Sequence, residues 1–328
     1  MRAYVFDVAS RRASLEDVPE PAPAAGEVAI AVEACGLCRT DLHILDGDLQ
    51  PPGDRVVLGH QVIGRVRATG AGVDGSWQGR RVGVPWLATS CGHCRACTGG
   101  RENLCPSIRC TGLHRDGGLA EVMVAAASSC LPVPDGLDAL AAAPLLCAGA
   151  IGWRALRLAG GGERVGVYGF GAAAHLLAQV LRWQRRALYA FTRPGDRDRQ
   201  AYARSLGAAW AGGSDELPPE PLDAAIIFAD DGALVPQALA ALAPGGTVVC
   251  GEIHMTEIPS FPYDLLWREK VVRSVANLTH QDGVELLEAA ARIPLRADVR
   301  SYPLADVEHA FADLRAGRVH GAAVVRVP

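Results

Sequence analysis

The sequence predicts a two-domain α/β protein, with a β-rich domain split between the two ends of the chain and a doubly wound parallel sheet inserted into it. Three observations carry this prediction. At 328 residues the chain is longer than the roughly 250–300 at which a single hydrophobic core stops growing. Short strands bounded by Gly, Pro or Asp fill its first part, whereas from Glu163 onward strands alternate with helical runs. A glycine turn stands between the first of those strands and its helix. The predicted boundaries are 1–148 and 282–328 for the split domain and 149–281 for the insert.

Taken in order, residues 3–6, 28–32, 64–68 and 81–84 read as strands of an irregular β-barrel, each closed by a turn residue. The proline-rich stretch 19–23 reads as a rigid surface connection, and 116–121 as a turn into a further strand. Residues 164–168 form a buried strand, followed by Gly169-Phe170-Gly171-Ala172-Ala173-Ala174 and a helix through Gln184. Such a strand, turn and helix point free backbone N–H groups and a positive helix end at a pyrophosphate, with Gly169, Gly171 and Ala174 at the small-residue positions. Strands at 187–191, 222–228 and 247–251 then alternate with helices at 197–206 and 234–242, and Pro244-Gly245-Gly246 is expected to end the second helix. A helix over 281–292 leads back to the first domain, which closes with a helix over 306–316 and a strand over 322–327.

Composition narrows the function. Hydrophobic content of 49% supports globular cores, no apolar run reaches the roughly 18 residues that span a bilayer, and the N-terminus lacks a basic-then-apolar segment. The expectation is a cytoplasmic protein with no membrane partner. With 32 basic against 36 acidic residues and arginines that are scattered rather than striped, no field attracts nucleic acid. Ten cysteines in a chain read as unexported point to metal or thiol chemistry rather than disulfides.

The densest cluster is Cys91-Gly92-His93-Cys94-Arg95-Ala96-Cys97 with Cys105, in a loop that also holds Gly99 and Gly100. Four thiols at this spacing make a closed tetrahedral site, hence a structural zinc, whereas disulfides would need an oxidising compartment. His93 is surplus to four thiolates and is expected to face solvent. A second group is Gly36-Leu37-Cys38-Arg39-Thr40-Asp41-Leu42-His43, with Gly59-His60 further on. The Cys38 thiolate and the His60 imidazole suit zinc and leave room for a third protein ligand and an exchangeable position. Taken singly, Cys35 and Cys38 could be a redox pair or buried cysteines, and His60 a core histidine. Between them, Thr40 and His43 supply a hydroxyl and an imidazole that can pass a proton toward solvent, and Asp41 can fix the tautomer of His60.

Gly-x-Cys-x-Thr-Asp-x-His, followed by Gly-His-x-x-x-Gly-x-Val (Gly59, His60, Gly64, Val66), resembles the zinc-dependent alcohol dehydrogenases of the medium-chain dehydrogenase/reductase superfamily. The resemblance runs from the N-terminus to the last strand. It implies a chaperonin-10-like β-barrel that carries a catalytic zinc, and a Rossmann domain that binds a nicotinamide cofactor. It makes Cys147, in Leu145-Leu146-Cys147-Ala148-Gly149, the third ligand beside Cys38 and His60. It implies hydride transfer between the cofactor and a small-molecule alcohol, aldehyde or ketone, with the alcohol proton leaving by way of Thr40, the nicotinamide ribose and His43. Arg39 matches a residue that contacts the cofactor pyrophosphate, and relatives are commonly homodimers or homotetramers. Cys35, Cys110, Cys130 and Cys250 read as small core residues.

The chain departs from the family pattern at several places. Gln61 replaces the usual glutamate after the histidine ligand, Ala322 stands where many relatives have an arginine, and Ile151 where a threonine is common. Trp86 matches an aromatic wall of the substrate pocket, while Leu49 replaces a second tryptophan and predicts a wider pocket. After the second strand of the insert, Ala190-Phe191-Thr192-Arg193-Pro194 has no acid for the adenosine ribose. Thr192 and Arg193 are instead suited to a 2′-phosphate, so NADP(H) is favoured over NAD(H), with Asp196 as the residue that could reach the ribose instead. Two other readings are weaker. A zinc-free quinone or enoyl reductase conflicts with the seven proposed ligands, and a zinc-stabilised binding protein without catalysis conflicts with an intact Thr40 and His43.

Overall fold

A computed structural model describes residues 1–293 and 295–328 of the chain. They divide into two compact units, Met1–Ala150 with Asn277–Pro328, and Ile151–Ala276.

The first unit is organised on the strand Glu27–Leu37, the centre of a seven-stranded sheet ordered Leu131–Pro132, Arg81–Val84, Gln61–Thr69, Glu27–Leu37, Ala322–Arg326, Val299–Pro303. Val122–Ala126 pairs with it as well. Val28, Ile30 and Val32 alternate into the core, as β-branched residues of a half-buried strand do. The strand runs five residues past its predicted end at 32, because Ala34 to Leu37 are buried on both faces and lose the alternation that marks a strand in sequence. Its register pairs Gly36 with Gln61 on one side and with Val324 on the other. Cys38 therefore leaves one strand beside the point where His60 enters its neighbour. A smaller sheet, Arg12–Asp17, Arg2–Asp7 and Arg55–Val57, packs the N-terminus in place.

The second unit is a six-stranded sheet in the order Trp210–Gly213, Ala187–Thr192, Arg164–Tyr168, Leu222–Ile227, Leu242–Cys250, Val271–Ser274. Every pairing is parallel, and numbered within the unit the order is 3-2-1-4-5-6, the doubly wound arrangement. Val165, Val167, Ala224 and Ile226 are fully buried, as strands covered on both faces require. One expectation is corrected here. The helix Leu234–Ala241 ends without the Pro-Gly-Gly, because Leu242 already turns extended and Pro244 to Gly246 lie inside the next strand. They fall at its irregular start, before regular pairing resumes at Ala224 with Thr247, where a residue without an N–H costs no ladder bond.

Candidate metal and cofactor sites

The helix Arg39–Asp46 begins at Cys38, whose extended backbone and side chain form the N-cap. The Cys38 Sγ accepts the Thr40 N–H at 3.3 Å, and Asp41 Oδ2 accepts the Cys38 N–H at 3.0 Å, a reciprocal capping box. The other Asp41 oxygen lies 3.0 Å from His60 Nδ1, both groups being fully buried. A carboxylate only accepts, so Nδ1 carries the proton and Nε2 is the atom that faces Cys38 Sγ at 3.3 Å. Cys147, at the turn before the helix Ala148–Ala159, brings its Sγ to 3.9 Å from that of Cys38. The donor atoms of Cys38, His60 and Cys147 all lie within 4.8 Å of one another. A tetrahedral zinc, with bonds of about 2.3 Å to sulfur and 2.0–2.1 Å to nitrogen, spaces its ligands roughly 3.5–3.8 Å apart. The donor set fits that ion, and the sulfurs are much too far apart for the roughly 2.05 Å of a disulfide.

The protonation chemistry agrees. The hydrogen bond from Cys147, then the charge of His60 and the Thr40 N–H, hold the Cys38 thiol well below its ordinary range in spite of burial. Burial alone would depress the imidazole of His60, but the Asp41 carboxylate and the Cys38 thiolate outweigh it and raise it to about 10. Both directions favour a half-buried thiolate beside a buried imidazolium in the absence of metal. Trp86 stands edge-on to His60, with ring centroids 5.0 Å apart.

Thr40 and His43 lie one turn apart on the same side of the helix, Thr40 half-buried and His43 buried. His43 Nδ1 is 2.8 Å from Asp48 Oδ2. Arg39, the first helical residue, is exposed.

Cys91, Cys94, Cys97 and Cys105 bring their sulfurs within 4.8 Å of one another, with Cys97 Sγ at 3.9 Å from that of Cys91 and 3.5 Å from that of Cys94. Backbone N–H groups of Cys91, Cys94 and Ser107 each donate to a cluster sulfur at 3.4 Å. The N–H groups of His93 and Cys94 lower the Cys91 thiol to about 6. Cys94 is held up to about 11, its bond from the Cys97 N–H outweighed by burial and the neighbouring sulfurs. Four thiols this close cannot all ionise alone, and a divalent cation removes that conflict. His93 is exposed, and its Nδ1 bonds the Cys91 carbonyl at 2.8 Å. Cys35, Cys110, Cys130 and Cys250 are all buried in apolar surroundings.

In the second unit Gly169 has φ +84, and a Cβ there would stand 2.5 Å from the Phe228 carbonyl oxygen, so only glycine fits. Gly171 is the N-cap of the helix Ala172–Trp183 and makes no side-chain capping bond, and a Cβ on it would meet nothing within 4 Å. The N-cap thus offers the first-turn N–H groups no side-chain acceptor, which fits a pyrophosphate, and Ala174 is buried in the same turn.

A family model, the alcohol dehydrogenase GroES-like domain, matches residues 24–135. A Mycobacterium tuberculosis (strain CDC 1551 / Oshkosh) protein described as a probable alcohol dehydrogenase, AdhA, is 44% identical over 94% of this chain and 91% of its own. The chain belongs to the alcohol dehydrogenase family. It is an oxidoreductase that moves a hydride between a nicotinamide cofactor and an alcohol or carbonyl compound. Its fold superposes on acetophenone reductase from Geotrichum candidum NBRC 4597 in complex with NAD, with TM-score 0.88, 26% identity and coverage of 99% of this chain and 96% of that one. It also superposes on a cobalt- and zinc-bound thermostable alcohol dehydrogenase from Pyrobaculum aerophilum, with TM-score 0.89, 24% identity and 99% of each chain covered.

In this alcohol dehydrogenase one expected cofactor contact is overturned. Thr192 is only 3% exposed, with its hydroxyl 3.1 Å from the Arg193 carbonyl and 3.3 Å from that of Gly212, and it accepts from Gln200 Nε2 at 3.2 Å. As the last residue of a buried strand it points inward, where no phosphate reaches. Arg193 is exposed at the turn. Asp196 caps the helix Arg197–Ser205, accepting the Arg199 N–H at 3.1 Å and pairing with Arg199 Nε at 3.5 Å, so it is already engaged. Sequence reasoning missed Arg199 itself, whose Nη1 donates to the Phe170 carbonyl of the glycine turn at 3.0 Å. The signal was its place three residues after an Asp N-cap, but nothing local shows that the side chain reaches back 29 positions. Gln61 is buried with its side chain lying over Gly36 and its Nε2 without a partner among the described residues, and Ala322 is buried in its strand.

Proposed function

We propose that this alcohol dehydrogenase depends on zinc held by Cys38, His60 and Cys147, carries a second, structural zinc on Cys91, Cys94, Cys97 and Cys105, and favours NADP(H). The observation that carries the reading is the convergence of two thiols and one imidazole, with Asp41 holding the imidazole by its far nitrogen. When bound, zinc supplies a Lewis acid for the substrate oxygen and the nicotinamide supplies or takes the hydride. The chain's own residues do the rest. The half-buried Thr40 Oγ1 hands on the proton of the alcohol, and His43 Nε2 accepts it one helical turn away. The Trp86 ring walls the substrate space beside His60. Leu49 packs on the core of the first unit, leaving that wall shorter than a tryptophan would. The N–H groups after Gly171 and the exposed cation of Arg39 attract pyrophosphate, and Arg193 attracts a 2′-phosphate. The catalytic part is assigned to 1–148 and 282–328 and the nucleotide part to 149–281, in a cytoplasmic homodimer or homotetramer.

Elemental analysis of protein purified without chelator should give two zinc ions per chain. Cys147→Ala should lose one of them, keep the fold, and lose turnover by about a thousandfold or more, because removing several kcal/mol of charge stabilisation costs tenfold per 1.4 kcal/mol. Cys97→Ala should instead lower the melting temperature. Full activity in Cys147→Ala sinks the ligand assignment. In the same assay, benzyl alcohol should be oxidised at least as efficiently as ethanol, and a clear preference for ethanol contradicts the role given to Leu49.

A further inference from the structure

His43 is 8% exposed, so a proton held on its ring has little direct contact with water. Its Nδ1 meets Asp48 Oδ2 at 2.8 Å, and the Asp48 side chain is 50% exposed. The chain is built to make this contact. Gly47 ends the helix Arg39–Asp46 in the left-handed conformation, φ +86 and ψ 13, which turns the chain back on itself. The positive φ favours glycine at this turn, and a Cβ there would also push aside the Arg11 guanidinium. The Asp48 and Leu49 N–H groups then both donate to the His43 carbonyl, at 2.9 and 3.1 Å, and the Asp48 side chain closes onto the ring of the same residue. The turn is clamped from outside. Arg315 makes a two-pronged ion pair with Asp46, at 2.7 and 2.8 Å, and Arg11 donates to the Asp46 carbonyl.

From this geometry we infer that Asp48 is the positioning residue of His43, holding the neutral ring in the tautomer that keeps the proton on Nδ1 and the lone pair on Nε2. The inference rests on the proton-accepting role given to His43 above. A carboxylate only accepts hydrogen bonds, so it selects a donor at Nδ1 and leaves Nε2 as the basic atom. It also faces the imidazolium that forms when Nε2 takes a proton. Asp41 does the same for His60 at 3.0 Å, so one carboxylate within the helix and one just past its end set two imidazoles in the same tautomer for different tasks.

The test is Asp48→Asn in the zinc-loaded protein. An amide keeps the size but can donate to Nδ1, which favours the other tautomer, the effect that makes such a change costly at histidine bases elsewhere. The expected result is a His43 whose ¹⁵N shifts move from a protonated Nδ1 toward a protonated Nε2. With it, kcat for alcohol oxidation should fall about ten- to hundredfold, with KM, zinc content and melting temperature unchanged. Asp48→Glu, which keeps the acceptor, should restore the parental ¹⁵N pattern and part of the turnover. A parental ¹⁵N pattern in Asp48→Asn overturns the inference, whatever the activity. Parental turnover in Asp48→Asn also overturns it if His43→Ala is impaired. If His43→Ala keeps full turnover, the relay reading fails instead, and the ¹⁵N comparison still decides for or against Asp48.

Discussion

Asp41 fixes two partners at once, Cys38 through its backbone N–H and His60 through Nδ1, so one buried carboxylate sets both the start of a helix and the direction of a ligand. The cost is a proton. His60, ordinarily near 6.5, is raised to about 10 in the metal-free site, so the stability this pair contributes is complete below 6.5 and is lost as pH climbs through about 10. Zinc must displace that proton, whereas the depressed Cys38 thiol offers little resistance. Zinc affinity of the Cys38, His60 and Cys147 site should therefore rise with pH between 6.5 and about 9, by at least about tenfold per unit, because His60 releases one proton and the Cys147 thiol that donates to Cys38 releases another. Competition against a chromophoric chelator, corrected for the chelator's own protonation, measures this in the Cys97→Ala background. An affinity that is flat over that range contradicts the thiolate–imidazolium description.

Among the elements, the turn after the strand Ala187–Thr192 carries the proposed cofactor preference, and the helix Arg197–Ser205 braces the glycine turn through Arg199. With Thr192 turned inward and Asp196 capping that helix, Arg193 is the exposed cation left at the strand end. A charge-assisted bond of about 1.5 to 3 kcal/mol corresponds to roughly ten- to hundredfold discrimination. The specificity constant for NADP(H) should exceed that for NAD(H) by this amount, and Arg193→Ala should erase the difference. Arg199→Ala should behave differently. Its Nη1 ties the Phe170 carbonyl and Tyr202 meets the Phe170 ring, so its loss loosens the turn under both cofactors alike. If NAD(H) wins in the parent, or the preference survives in Arg193→Ala, Arg193 is not the selectivity residue.

Over the whole molecule, the largest exposed apolar groups gather in the second unit. Ile253, Tyr263 at 66%, Trp267 at 59% and Val271 at 45% exposure lead into Val271–Ser274, an edge strand with no partner on its outer side among the described residues. An unpaired edge next to exposed aromatic surface is a template for pairing with another chain. It supports the proposed homo-oligomer, and Trp267→Arg with Val271→Lys should shift the mass seen by light scattering to that of a single chain without lowering zinc content. An unchanged mass places the interface elsewhere.

The parts that could be read without a fold are those whose partners sit close in the chain. Cys91, Cys94, Cys97 and Cys105 fall within one loop, so spacing and ligand chemistry alone foretell a closed metal site. The alternation of strand and helix likewise announces a parallel sheet, because helical and strand periods differ. Trp210–Gly213 escaped notice because Ala211, Gly212 and Gly213 carry no strand preference and pair only because neighbours bury them. Cys147 lies 109 positions from Cys38, and no local rule joins them, so it was reached through family resemblance alone. Which way a side chain points at the end of a strand or helix depends on what packs there. Folding turned Thr192 inward, brought Asp48 onto His43 through a left-handed glycine, and carried Arg199 to the glycine turn. Residue type and spacing name the chemistry, but burial and backbone direction choose the partner.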